Sequence, residues 1–167
     1  REIIPLEQEI CHVRSYLDIQ KMRYGDRLDY QIRIPEELKK LYTVKLLIQP
    51  LAENSIYHGI KESDRKGTIL ITAGEEPGGF YLCVRDDGLG ISQETLTILN
   101  ADLKRGVTVS DGGYGIFNVN ERIRLYFGRD YGLELRSCAG EWTEAVIHLP
   151  KYIPERTEWD VSDFDRR

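Results

Sequence analysis

Leu6, Ile10, Val13 and Leu17 recur at three- and four-residue intervals, with Tyr16 and Ile19 widening the stripe, so a helix is predicted over 6–24. Pro5 precedes it and Gly25-Asp26 ends it. Leu28, Tyr30, Ile32 and Ile34 then alternate with polar residues, the pattern of a strand with one buried face, and Pro35 stops it. Residues 44–58 hold a second helical stretch. Pro50 lacks an N–H, a defect inside a helix and none in its first turn, which places the main helix at 50–58 after a short lead-in turn. Strands are expected at 68–73 and 79–85, joined around Pro77-Gly78-Gly79. A short helix is expected at 92–99 with Ser92 as its N-cap. Residues 100–113 read as a loop carrying Gly106, Gly112 and Gly113. Ile116, Val119, Ile123 and Phe127 share one face of a helix at 116–127, and a last strand pair, 132–138 and 143–149, turns around Gly140. The tail from Lys151 is polar and is expected to fray. Helix, strand, helix, two strands, helix, loop, helix, two strands is the order of an α+β two-layer sandwich with a mixed sheet.

A length of 167 residues suits one domain with a short appendage, and 41% hydrophobic residues can fill a core. The net charge of −5 argues against a nucleic-acid surface, while leaving room for a local basic pocket for phosphates. No stretch approaches the ~20 apolar residues of a membrane span. The chain opens at Arg1-Glu2 without Met, as expected of a piece of a longer protein, with any membrane anchor or sensor upstream. Cys11, Cys83 and Cys138 are far apart and set among apolar residues. They fit neither zinc spacing nor a disulfide framework and are expected as buried free thiols in a reducing cytoplasm. His12, His58 and His148 show no metal-ligand spacing.

Three segments carry candidate chemistry. In Glu53-Asn54-Ser55-Ile56-Tyr57-His58-Gly59, Glu53 shares a helix face with Tyr57, and Asn54 with His58. An Asn carbonyl suits Mg²⁺, which takes few protein ligands and otherwise keeps water and phosphate oxygens. The adjacent Glu53 could polarise a water or a nucleophile; polar residues before a Gly are equally an ordinary solvated helix end. Asp86-Asp87-Gly88-Leu89-Gly90 follows a strand. Its carboxylate could accept a hydrogen bond from the exocyclic amine of adenine, with glycines admitting a flat base to the backbone, though Asp-Gly is also a common turn. Gly112-Gly113-Tyr114-Gly115-Ile116 opens a helix, where bare N–H groups at the positive dipole end suit phosphate; a glycine hinge fits the same residues. No Gly-Lys-Ser/Thr follows, so it is not a Walker A loop.

Together and in this order, the three segments resemble the N, G1 and G2 boxes of the GHKL ATPase superfamily. Within it the chain resembles sensor histidine kinases of the LytS/YesM type. Residues outside the boxes carry that likeness too: Pro5-Leu6-Glu7-Gln8-Glu9, Tyr16-Leu17-Asp18-Ile19-Gln20, Arg23-Tyr24-Gly25-Asp26-Arg27, Gln49-Pro50-Leu51 and Asn118-Val119-Asn120-Glu121-Arg122-Ile123. The resemblance runs to about Lys151 and implies a Bergerat-type α/β sandwich, mixed sheet, helices on one face. It divides the chain into a connector helix at 1–27, an ATP-binding domain at 28–151 and a polar tail at 152–167. It also implies roles. Asn54 would hold Mg²⁺ and Glu53 would orient the nucleophile or a water. Asp86 would read the adenine amine, Gly88 and Gly90 would make room for the base, and His58 would pack beside it. Gly113, Gly115 and Ile116 would bring lid and helix to the phosphates, Thr143 would support the adenine end, and 100–112 would be the ATP lid with Lys104 or Arg105 reaching phosphate. Three positions depart from the family pattern: Tyr57 stands where Lys is frequent, Trp142 where Gly is common, and Asp87 where Asn is usual. Relatives carry the phosphoacceptor in a Pro-His-Phe-like setting upstream. Cys11-His12-Val13-Arg14 does not match it, so His12 is expected as a helix-surface residue.

The activity implied is transfer of the ATP γ-phosphoryl group, with Mg²⁺, to a histidine on an upstream domain and then to a response regulator. The full-length protein would be a homodimer with this domain on the cytoplasmic side of a membrane. The alternatives are a nucleotide-binding regulatory module, a serine kinase of the anti-sigma type, or a silent pseudokinase. The connector-like residues 5–27 favour the histidine kinase over the first two, and the intact Asn54, Asp86 and glycine set weigh against the third.

Overall fold

A computed structural model of the chain describes residues 2–106 and 115–154. A short strand, β1 (Ile3–Pro5), leads into helix α1 (Leu6–Tyr24), which ends in a tight turn at Gly25–Arg27. β2 (Leu28–Arg33), β3 (Tyr42–Val44) and α2 (Ile48–Ser55) follow, and the last continues into a wider π-helical turn, Ile56–Lys61. β4 (Gly67–Glu76) and β5 (Gly79–Asp86) form a hairpin. Then come α3 (Gln93–Arg105), α4 (Gly115–Phe127), β6 (Gly132–Cys138) and β7 (Trp142–Leu149).

Five strands make a mixed sheet in the order β2-β4-β5-β7-β6. Only the β2–β4 pair is parallel. β1 and β3 form a separate antiparallel pair, to which Tyr152 adds a hydrogen bond from the N–H of Tyr42 at 2.8 Å. These three-residue strands are too short to show alternation, and the sequence pattern does not reveal them. The four helices pack on one face of the sheet. Leu6, Val13 and Leu17 of α1, Ile48 and Leu51 of α2, and Ile116, Val119 and Ile123 of α4 meet Ile69, Ile71, Phe80, Leu82 and Ile147 in one core. This is the α+β two-layer sandwich expected. Among the described residues no helix is long and apolar enough to cross a membrane.

Three boundaries move. The second helix begins at Ile48 rather than Pro50, because Pro50 occupies the third helical position, where an N–H has no intrahelical acceptor anyway. It also continues past His58 to Lys61. The helix expected at 92–99 runs on to Arg105, so 100–105 is helical rather than lid loop. Leu96, Leu99 and Leu103 keep helical spacing across that boundary, and the stop is Gly106, whose φ of +74° suits glycine. Ser92 is the N-cap, its Oγ accepting from the Thr95 N–H at 3.3 Å. The rest of the expected lid, 107–112, and Gly113 lie outside the described residues. Of the thiols, only Cys83 is buried; Cys11 and Cys138 are exposed, because the first lies on the outer side of α1 and the second at the end of edge strand β6. His12 is exposed on α1, as expected.

The sheet's other face is polar. There His148 of β7 meets Glu76 of β4 through Nδ1 at 2.7 Å and Glu134 of β6 through Nε2 at 2.8 Å. Partial burial opposes its charge, but the bonds to the two carboxylates outweigh this and hold its pKa above the ordinary value. A histidine raised on folding contributes stability that is complete below its unfolded pKa, about 6.5, and lost as pH rises through the folded value. Stability is therefore expected to fall as pH rises above about 6.5 in the parent and to fall less in His148→Gln. Urea unfolding of both proteins from pH 5.5 to 9 measures this; parallel profiles would remove His148 as the source.

Candidate functional site

The β5 strand ends at Asp86, which faces the helix layer and is 5% exposed. Its register partner on β7 is Thr143, and the carboxylate accepts the Gly88 N–H at 3.0 Å and the Ser55 hydroxyl. Burial is the chief influence on its acidity and lifts its pKa to about 6. The Gly88 and Ser55 hydrogen bonds and His58 offset part of that rise, and Asp87 adds to it. The helix above, 48–61, presents Asn54, His58 and Glu62, each four residues from the last, toward the same space. A cavity of about 300 Å³ lies between them. Asp86, Asn54, His58 and Thr143 give it polar groups, and Ile91, Leu99, Ile116 and Leu135 give it apolar walls.

Two backbone approaches make this geometry possible. A Cβ on Gly88 would stand 2.3 Å from Cα of Gly59, so two glycines let the turn after β5 lie directly on the helix. A Cβ on Gly59 would meet Asp86 Oδ1 at 2.6 Å. Gly90 has φ +68°, and its Cβ would fall 2.2 Å from the Cys138 carbonyl oxygen. At 88 and 90 a Cβ would meet protein backbone, which by itself calls for glycine at both positions. Gly90→Ala is expected to destabilise the fold by roughly 2–4 kcal/mol, from the left-handed φ and the clash together. Gly78→Ala, with a similar φ but open space around it, serves as the control for φ alone. Equal midpoints for the two variants in urea would show that the close approach costs nothing.

Of the residues singled out from sequence, Asn54, His58, Asp86, Gly90, Ile116 and Thr143 line the cavity. Gly88 lies just behind it. Glu53 is exposed on another side of the helix, where its carboxylate accepts from Gln49 Nε2 at 3.1 Å. Lys104 stands in the last turn of α3, exposed and away from the cavity, because the helix continues through it; its carbonyl accepts from Arg124. Gly115 begins α4, and a Cβ there would make only ordinary contact with Pro50. Trp142 and Asp87 face away from the cavity. The Arg85 guanidinium lies over the Trp142 ring at 4.5 Å and bonds Glu144 at 2.7 Å. Asp87 accepts the Thr68 N–H at 2.7 Å. Tyr57 is exposed, edge-on to His58, with the Lys61 ammonium 5.1 Å from its ring centre.

Sequence reasoning missed Ser55 beneath Asp86, Glu62, and the apolar walls Leu99 and Leu135. Glu62 was findable once Asn54 and His58 were placed four apart, since one more turn reaches it. Among the described residues no group of three or more His, Cys, Asp or Glu is placed to hold a metal ion.

Comparison with known proteins agrees with this fold. Residues 42–153 match the family described as histidine kinase-, DNA gyrase B-, and HSP90-like ATPase, and residues 1–28 match a histidine kinase family. The sensor histidine kinase YesM of Bacillus subtilis is 34% identical over 90% of this chain and 24% of its own length. The sensor protein LytS of Bacillus anthracis is 31% identical over 93% of this chain and 26% of its own length. The chain therefore spans about a quarter of the curated relatives it matches. Among solved structures, the catalytic domain of histidine kinase ThkA superposes with a TM-score of 0.65 at 15% identity, covering 89% of this chain and 94% of that one. Histidine kinase AdeS of Acinetobacter baumannii gives 0.59 at 13% identity, over 91% and 68%. The chain belongs to the histidine kinase-, DNA gyrase B-, and HSP90-like ATPase family and is a GHKL domain homologous to the catalytic domains of LytS/YesM-type sensor histidine kinases.

Proposed function

We propose that this domain binds Mg²⁺-ATP in the cavity beside Asp86 and transfers the γ-phosphoryl group to a histidine carried upstream, for relay to a response regulator. The observation that carries the reading is a buried carboxylate, Asp86, at the floor of a cavity with apolar walls and one helix of polar side chains above it. A flat base fits apolar walls, and a carboxylate that accepts two hydrogen bonds from the described residues keeps lone pairs for an exocyclic amine. A cavity of about 300 Å³ sits at the lower end of small-molecule sites and suits a base rather than a whole nucleotide, leaving the phosphates toward α4.

The chain's own residues then divide the work. Asp86 and Thr143 fix the base from neighbouring strands, with His58 beside it. Asn54 offers one amide oxygen to Mg²⁺, and the donor set fits that ion, which is commonly held by one or two protein groups with phosphate oxygens and water. Bound there, Mg²⁺ would supply charge neutralisation on the phosphates. Ile116, at the start of α4, places helix N–H groups at the phosphate end. Gly113 and Gly115 belong to the same approach. Glu53, exposed beside Asn54, is available to an imidazole arriving from outside the cavity. Residues 1–27 serve as the connector to the acceptor domain, 28–151 as the ATP-binding unit and 152–167 as its tail. The whole protein works as a homodimer, with this domain on the cytoplasmic side of a membrane.

Incubation of the full-length protein with γ-labelled ATP tests this. Label that is acid-labile and base-stable is expected, as for phosphohistidine. Acid-stable label, or none with folded protein and bound nucleotide, would sink the reading.

A further inference from the structure

The helix that carries Asn54 and His58 is held at both ends by charged side chains from one neighbour. At its start the backbone turns at Leu46, a non-glycine residue with φ +59°, followed by Leu47 at φ −95°. This left-then-right alternation points successive N–H groups into one concavity, an anion nest. The anion is the carboxylate of Glu9, which is 1% exposed. Its Oε1 accepts from Leu46 N–H, and its Oε2 accepts from Leu47 at 3.2 Å and Ile48 at 3.4 Å. The opposite side of the same turn is held by α4, where Arg122 donates to the Lys45 carbonyl at 2.6 Å and the Leu46 carbonyl at 3.2 Å. At the far end Arg27 donates to the Ser63 carbonyl at 2.8 Å, just past the helix, and to the Ile60 carbonyl of its last turn at 3.4 Å, which also accepts the Ser63 N–H at 3.2 Å.

Glu9 lies in the first turn of α1 and Arg27 in the turn that closes it. A negative group thus meets the positive end of the 48–61 helix and a positive group meets its negative end, both supplied by the α1 segment. Between these ends Ser55, beside Asn54, bonds the Asp86 carboxylate on β5, so the helix is tied to the sheet at its middle and to the α1 segment at its ends. We propose that Glu9 and Arg27 are positioning residues: by clamping the helix at its two ends they make the placement of Asn54 over the cavity depend on α1. The strained φ at Leu46 belongs to this device, since it is what turns the three N–H groups onto one carboxylate. This inference rests on the reading of Asn54 as the Mg²⁺ ligand.

The test uses the full-length protein with Glu9→Gln and Arg27→Gln. The glutamine keeps the volume of Glu9 and removes its charge; Arg27 is exposed, so its variant reports even where loss of Glu9 prevents folding. Affinity for a non-hydrolysable ATP analogue is measured by calorimetry with Mg²⁺ and with chelator, alongside hydrogen exchange of amides 48–61. The affinity with Mg²⁺ is expected to fall by about threefold to thirtyfold, the range for residues that act on a site through another element. The affinity with chelator should change less, because Asp86 and Thr143 sit on strands. Exchange should quicken in 48–61 and stay at the parent rate in β5 and β7, and Arg27→Lys should restore much of both. A fold that is merely weakened would lower the two affinities alike, and that result, or parent values throughout, would overturn the proposal. Quicker exchange with unchanged Mg²⁺ dependence would overturn it as well. A parent affinity indifferent to Mg²⁺ would instead refute the role of Asn54, and exchange alone would then decide whether the clamp exists.

Discussion

Asn54→Ala is expected to abolish phosphoryl transfer in the full-length protein while leaving the domain folded. Asn54 is half-buried and lines the cavity one helical turn before His58. Its fold contribution is small: alanine is the best helix former, and the side chain leaves a solvent-reached wall rather than a packed core. Stability should therefore change by no more than about 0.5 kcal/mol. The chemistry has no such tolerance. Phosphoryl transfer depends on positioning and on neutralising charge spread over the transferring group, and the described residues place no cluster of metal-binding carboxylates that could take over. The loss should be on the order of a hundredfold or more, as when one preorganised electrostatic group is removed. Nucleotide binding in chelator should suffer less than activity, since the residues proposed to hold the base, Asp86 and Thr143, lie on β5 and β7. Label incorporation, thermal unfolding and calorimetry on the same preparation give all three quantities. A folded variant that phosphorylates at the parent rate would remove Asn54 from the metal.

The long periodic elements were legible because burial wrote them into the sequence. Leu6 to Leu17, the alternation from Leu28, and Ile116 to Ile123 each bury one face, and each stands in the structure within a residue or two of its expected place. The cavity residues Asn54, His58, Asp86 and Thr143 were legible for a different reason: three segments, each alone fitting an ordinary helix end, turn or hinge, together and in order resemble one family, and that resemblance implies all four. What local pattern does not carry is contact across the chain. Nothing around Glu9 marks a carboxylate that caps a helix 37 residues later. Nothing around Gly59 and Gly88 says that they touch each other. The end of α3 was misplaced because 100–113 read as loop on Gly106, Gly112 and Gly113, all of which follow Arg105, and the polar Asn100 gave no sign of burial. In the structure Asn100 is half-buried, donating to the Leu135 carbonyl at 2.8 Å and accepting the Leu135 N–H at 2.8 Å. A polar residue that satisfies an adjacent strand looks, in one dimension, like one that faces water.

Asp86→Asn is expected to weaken adenine nucleotide binding and at the same time to stabilise the fold. The two effects have one cause. Burial lifts the folded pKa of Asp86 to about 6 from an ordinary value of 3.8. An acid raised on folding favours the folded state fully below its unfolded pKa, and that contribution disappears as pH climbs through the folded value. At pH 7 the buried carboxylate therefore costs on the order of 2–3 kcal/mol relative to its protonated form. Asn has no charge to bury, and its carbonyl oxygen can still accept from Gly88 and Ser55. The variant should thus unfold at a higher temperature than the parent at pH 7, and the two should converge as pH falls toward 4. Binding moves the other way. In the proposed complex the carboxylate would offer lone pairs to the adenine amine, whereas the Asn amide can present an N–H to an N–H, a buried clash of donors worth about 1–3 kcal/mol, or roughly tenfold to a hundredfold in affinity. In the parent, affinity should also fall as pH drops through about 6, when the acceptor protonates. Titration of the nucleotide's own phosphate acts on both proteins, so the ratio of parent to variant affinity isolates Asp86, and that ratio should shrink toward one in acid. Calorimetry between pH 5 and 8 on both proteins, with melting curves at each pH, supplies the comparison. Equal affinities at pH 7 would end the assignment of Asp86 as the adenine reader, and a variant less stable than the parent at pH 7 would show that the charge is better solvated than its burial implies.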